Sequence, residues 1–126
     1  MRDSDLIRAR LTGERRFPIE NLNITATTSG AAQTLITAPE AETISITQMS
    51  VTNKSGSAAT LTLNAVPSGG TIADTNKEID ALSVAANTAV QLETLIGGMY
   101  AAGTVLKVYS GTNGALNIRG AVSAFS

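Results

Sequence analysis

From Leu22 onward, apolar and polar residues alternate in short runs, and Gly, Asn, Ser and Pro separate the runs. A period of two is the pattern of half-buried strands. "LNITATT" sets Leu22, Ile24 and Ala26 against Asn23, Thr25 and Thr27, and "AQTLIT" reads as a second short strand. "TAPEAET" (Thr37 to Thr43) is a connection, with Ala38 held extended by Pro39. "TISITQMSVTN" starts with Ile44 and Ile46 in phase and then shifts to Met49 and Val51. A phase change inside one strand predicts a bulge or a bend.

The next segments follow the same grammar. "KSGSA" (Lys54 to Ala58) has hairpin length and a central Gly. "ATLTLNAV" sends Leu61, Leu63 and Ala65 to one face, and Thr60, Thr62 and Asn64 to a solvated or subunit-facing one. "PSGG" ends that strand. Residues 71–88 are less regular, and fit either a helical turn around Glu78 to Leu82 or a short strand around Ile79 to Leu82. "TAVQLETLI" reads as a strand with Val90 and Leu92 inward, and "GGMYAAGT" as a connection. "VLKVYSG" buries Leu106 and Val108, and "SGTNGA" is a hairpin turn with Asn113-Gly114 suited to positive φ. "ALNIRGAVSAF" closes the chain with Leu116, Ile118 and Val122 in phase.

Seven to nine short strands at this spacing predict an all-β, antiparallel β-sandwich. A jelly roll is the preferred form and an immunoglobulin-like Greek key the alternative. The sandwich is expected over residues 22–126, behind an extended or partly helical N-terminal arm, residues 1–21. Asp3 or Ser4 is placed to cap a short helix that Gly13 would end. "RRFPIENL" then reads as extended, because Pro18 keeps Phe17 out of the helical region.

Composition narrows the chemistry. The 126 residues include no His and no Cys, which removes Ser-His-Asp and Cys-His nucleophile systems, thiolate and imidazole metal sites, and disulfides. Only 3% are aromatic, so the core must be aliphatic. No run of about eighteen apolar residues exists to span a membrane. The charge is uneven: residues 1–16 carry about +2, all from arginine, and the rest about −3.

Three sites merit weighing. "DTNKEID" alternates Asp74, Asn76, Glu78 and Asp80, but a hand-type calcium loop wants Gly where Ile79 stands and Glu where Ala85 stands. With Lys77 among the would-be ligands, a solvated polar loop is expected and no metal or cofactor. Glu40 with Glu42, Asp74 with Asp80, and Glu93 are the carboxylates available for hydrolysis, but the chain offers only Phe17, Tyr100, Tyr109 and Phe125 to stack on a sugar. No enzyme is expected. The arginines of the arm could meet phosphates, but the body lacks a basic stripe, so direct nucleic-acid binding is not expected. Guanidinium forks meeting carboxylates on a protein neighbour fit better.

"TAPEAETISITQMSVTNKSGSAATLTLNAVPSGG", followed by "IGGMYAAGTVLKVYSGTNGALNIRGAVSAF", resembles small β-sandwich structural proteins of tailed bacteriophages. The shared habit is an opening "TAP", a strand ending "VTN", another ending "VPSGG", then "AAGTVLKV" and a final alternating strand. The likeness spans about 90 of the 126 residues. It implies a virion protein without enzymatic activity, made in the host cytoplasm. Capsid decoration (cement) on the shell exterior is the leading role, with the major capsid protein and other copies of itself, as a homotrimer, for partners. A neck, tail or fibre accessory is the alternative, with a receptor or glycan face on 71–88 and 97–104 and Tyr100 as its stacking ring. The expected partner-binding residues are Leu6, Ile7, Arg8, Arg10, Leu11, Arg15, Arg16 and Phe17, chosen because they are more apolar and more basic than a solvated tail needs.

Overall fold

The structure, a computed structural model, describes residues 15–125. Among the described residues nine strands form: β1 (Arg15–Ile24), β2 (Gln33–Thr37), β3 (Thr43–Asn53), β4 (Ala59–Val66), β5 (Lys77–Val84), β6 (Thr88–Gln91), β7 (Met99–Tyr100), β8 (Val105–Ser110) and β9 (Leu116–Phe125). Single 3-10 turns sit at Ser29–Ala31, Asp74–Asn76 and Glu93–Leu95. One sheet has the order β1-β9-β3-β6, with β7 also paired to β3, and the other has β2-β8-β4-β5. Every pairing is antiparallel.

The strand order fixes the architecture. β1 and β2, β3 and β4, β5 and β6, and β8 and β9 are consecutive in sequence but lie in opposite sheets. The chain therefore crosses the sandwich at each of these steps. With the two-residue β7 set aside, eight strands wound this way make the jelly roll that the sequence predicts.

The crossings correct two expectations. Lys54–Ala58 and the Asn113-Gly114 turn have hairpin length and hairpin residues, and Gly114 does have φ +75°. Neither closes a hairpin. β3 lies between β9 and β6, and β4 between β8 and β5, so both bonding edges of each strand are already occupied. The turns instead carry the chain over the core.

The phase change in β3 is a bulge. Its register on β9 shifts between Ile46 and Gln48, so that Thr47 is extra. The Thr47 hydroxyl donates to the Ala121 carbonyl at 3.0 Å. β1 shifts against the other edge of β9 between Ile19 and Leu22. Both irregularities open beside Gly120. A Cβ there would land on the Gln48 carbonyl oxygen and 3.1 Å from Met49 Cα, so only glycine fits.

The core between the sheets is aliphatic, as composition requires. Ile24, Ile46, Met49, Leu63, Leu106 and Ile118 are among its fully buried members. At about 25 cal/mol per Å² of apolar surface removed from water, these side chains supply the main driving force for folding.

Two further expectations change. Thr62 and Asn64 were placed on an open face of β4, but both are buried. The β4–β5 connection folds over Asn64, and Thr62 meets the irregular stretch of β5 at Ala81. The Asn64 amide donates to the Ala73 carbonyl at 3.1 Å and to Asn76 Oδ1 at 2.7 Å, and Thr62 Oγ1 accepts the Ala81 N–H at 3.1 Å. The second correction concerns Val90, which is 37% exposed where inward packing was expected, although Leu92 is buried. The segment around Ile79 to Leu82 takes the strand alternative, within β5.

Candidate functional site

Leu6, Ile7, Arg8, Arg10 and Leu11, and the short helix expected there, lie outside the described residues. Arg15, Arg16 and Phe17 open β1, opposite Ala124, Ser123 and Val122 of β9. Among the described residues, strand pairing is already in place at Arg15, seven residues before Leu22. The Arg15 guanidinium forks onto Glu42, with Nη2 donating to Oε1 at 2.5 Å and Nε to Oε2 at 3.3 Å. It also lies over the Phe17 ring, 5.7 Å from the centroid. Phe17 itself packs against the buried cores. The Arg15 fork therefore meets a carboxylate of its own chain and fastens the start of β1 to the β2–β3 connection.

Lys77 bridges the two ends of the Asp74–Asp80 segment, which keeps a net charge of −2. Lys77 Nζ lies 3.1 Å from Asp74 and 3.3 Å from Asp80. Hydrogen bonds to Asp74 and Asp80 hold the lysine pKa above its usual value. Asn76 is spent on structure: its Oδ1 accepts from Asn64 and from the Ala73 N–H, and its Nδ2 donates to the Thr71 carbonyl at 2.9 Å. An ammonium group sits between the two carboxylates, on a segment that runs from the Asp74–Asn76 turn into the start of β5, where a loop was expected.

Tyr100, the ring proposed for stacking on a glycan, is half-buried and packs against both core clusters. Burial, then the negative charge of Glu78 and a hydrogen bond to that carboxylate, push its pKa up to about 12.

The surface of the described residues has further depressions. One, of about 680 Å³, lies over the paired bulges and is lined by Glu20, Asn21, Gln48, Ser50 and Arg119 around Gly120. Another, of about 350 Å³, lies by Val66, Gly70, Ile72 and Lys107. A third, of about 370 Å³, runs between the edge strands β5 and β6. Leu82 and Val90 lie in it, each 37% exposed, with Glu78, Asp80 and Glu93 along its rim. The alternation of "TAVQLETLI" sets Val90 inward, so sequence reading did not bring it beside Leu82, although the receptor face expected on 71–88 includes Glu78, Asp80 and Leu82. The available signal was charge: four of the seven acidic residues beyond position 16 fall between Asp74 and Glu93.

No family model and no curated protein matches the chain. In structure it is similar to a chain of the T13 particle of infectious bursal disease virus, with a TM-score of 0.44, 11% identity, and coverage of 88% of this chain and 30% of that one. It is also similar to a chain of the same virus, Gx strain, with a TM-score of 0.44, 15% identity, and coverage of 88% and 32%. A chain of T=1 particles derived from that virus gives a TM-score of 0.36 at 12% identity, with coverage of 88% and 31%. The present chain thus spans about a third of the length of each. Among the described residues, no helix is long and apolar enough to cross a membrane.

Proposed function

We propose that this chain is a structural, non-enzymatic virion protein of a tailed bacteriophage that decorates the capsid exterior as a cement protein. The observation that carries the reading is the strand order: β1-β9-β3-β6 over β2-β8-β4-β5 is a jelly roll, the architecture of many viral capsid and lectin domains. Architecture alone does not name a function. The sequence resemblance to phage structural proteins supplies the direction, and the interior agrees with it. The core is filled with aliphatic side chains, and Phe17 and Tyr100 pack against it.

The mechanism would be clamping. A rigid sandwich resists deformation, and its N-terminal segment, apolar and basic, reaches neighbouring subunits. Contacts with the major capsid protein and between copies in a homotrimer would add free energy to the shell at every copy. The test is deletion of residues 1–14, which leaves Arg15–Ile24 of β1 in place. Loss of binding to shells that lack the protein, with the thermal melt of the free domain unchanged, is expected. Full binding and unchanged shell stability would sink the role given to the segment.

A further inference from the structure

Two strand irregularities meet on the outer face of the β1-β9-β3-β6 sheet. β1 sets two residues, Glu20 and Asn21, opposite the single Arg119 of β9, and β3 carries Thr47 as an extra residue next to Gln48. Arg119 is level with Ser50 of β3, and Ser50 with Gln91 of β6. Residues directly opposite across strands share a face. Ser50 stands between the buried Met49 and Val51, so this row points away from the core. With strands about 4.8 Å apart, a row across four of them is about 14 Å long. The depression of about 680 Å³ lies over its β1–β9–β3 part, with Gln48 beside the row.

The row is polar, and its groups are unspent. Among the described residues, none of the side chains of Glu20, Asn21, Gln48, Ser50, Gln91 and Arg119 makes a hydrogen bond or an ion pair. The other carboxamides of the strands, at Asn23, Gln33, Asn53, Asn64 and Asn117, are all bonded within the chain. The free carboxamides of the strands, Asn21, Gln48 and Gln91, therefore all fall on this one patch.

The chemistry of the row selects its ligand. One cation and one anion cancel, so the patch favours neither an anion nor a cation. Arg119 only donates and Glu20 only accepts, whereas the Ser50 hydroxyl and the carboxamides do both. Groups that answer such a row must donate and accept in turn along a line, as sugar hydroxyls do. The patch has no aromatic ring to stack on a nucleobase. A small zwitterion held by Arg119 and Glu20 alone would gain little, because exposed ion pairs are weak. We propose that this row binds a neutral, linear oligosaccharide lying across the strands, with Glu20, Asn21 and Arg119 toward one end and Gln91 at the other. The site goes beyond the decoration reading and does not depend on it, and it lies on a different surface from 71–88 and 97–104.

The full chain, isotope-labelled and free of shells, is titrated by NMR with maltotriose, mannotriose, cellotriose and triacetylchitotriose in turn. At least one should give saturable shifts, with half-saturation at about 1–10 mM, as exposed hydrogen bonds without a buried anchor allow. The shifts should be confined to the row and include the side-chain amides of Asn21, Gln48 and Gln91. Arg119→Ala and Gln48→Ala should each weaken binding about tenfold. The rest of the spectrum should stay unchanged in both variants, which separates lost binding from lost folding. No saturable shift with any of the four sugars, shifts centred outside the row, or variants that bind as well as the native chain would overturn the proposal. Saturation by free glycine in place of the sugars would also overturn it, by making the site one for a zwitterion.

Discussion

Asn53, the last residue of β3, is fully buried and ties the two sheets together. Its Nδ2 donates to the Ser57 carbonyl at 2.8 Å and to the Val84 carbonyl at 2.9 Å. Its Oδ1 accepts from the Ser55 N–H at 2.9 Å and the Ser55 hydroxyl at 2.8 Å. All four of its hydrogen-bonding positions are used, and they join the β3–β4 crossing to the end of β5. Asn53→Ala leaves the Val84 carbonyl buried without this partner, which costs about 2 kcal/mol. The Ser55 and Ser57 groups can turn to water, so losing those bonds adds about 1 kcal/mol. At about 2.1 cal/mol/K per residue, the 126-residue chain has an unfolding entropy near 0.26 kcal/mol/K, so about 3 kcal/mol lowers Tm by about 11 °C. Asn53→Asp is the sharper probe. A carboxylate there faces two carbonyls with no cation, which raises its folded-state pKa above the unfolded value near 3.9. An acid with a raised folded pKa destabilises the fold as pH rises through that value. The Asp variant should therefore melt closer to wild type at pH 4 than at pH 7. Calorimetry at the two pH values checks both claims. A fall of less than about 3 °C for Asn53→Ala, or a pH-independent loss for Asn53→Asp, would refute the argument.

Gly120→Ala should cost about 3 kcal/mol, because the new methyl meets the β3 backbone and not a movable side chain; a denaturant melt reads it, and a neutral result would mean the paired bulges are not as described. Tyr100 should be the phenol that ionises near pH 12, seen by ultraviolet titration and removed by Tyr100→Phe. Since its folded pKa lies above the free value of about 10, stability should fall between pH 10 and 12 in the native chain, and the Phe variant should lose that slope. Arg15→Ala should cost under about 1 kcal/mol, because the Glu42 pair is at the surface and the arginine is 57% exposed; a larger loss would make the fork a structural anchor of β1.

Strand positions were legible because half-burial writes itself into the sequence as alternation. β8 and β9 bury the residues expected of them, and the β3 bulge was visible as a slip between Ile46 and Met49. Pairing was not legible. Whether a short turn closes a hairpin or crosses the sandwich depends on which edges are already filled, and those partners come from distant parts of the chain. The burial of Thr62 and Asn64 was hidden for the same reason, since Asn64 is met by the connection that follows β4 and Thr62 by the irregular stretch of β5. Of the residues expected to bind a partner, Arg15 and Phe17 are engaged within their own chain, a contact set by Glu42, twenty-seven positions away. The β5–β6 groove escaped because an unburied strand edge has the same composition as a buried one.

The most direct test of the decoration reading is the number of copies of this chain in purified virions, by mass spectrometry calibrated against the major capsid protein. Cement at local three-fold positions requires hundreds of copies in simple ratio to the shell protein, and that is the expected result. A dozen or so would contradict it and move the chain to the neck or tail, and none at all would remove it from the virion.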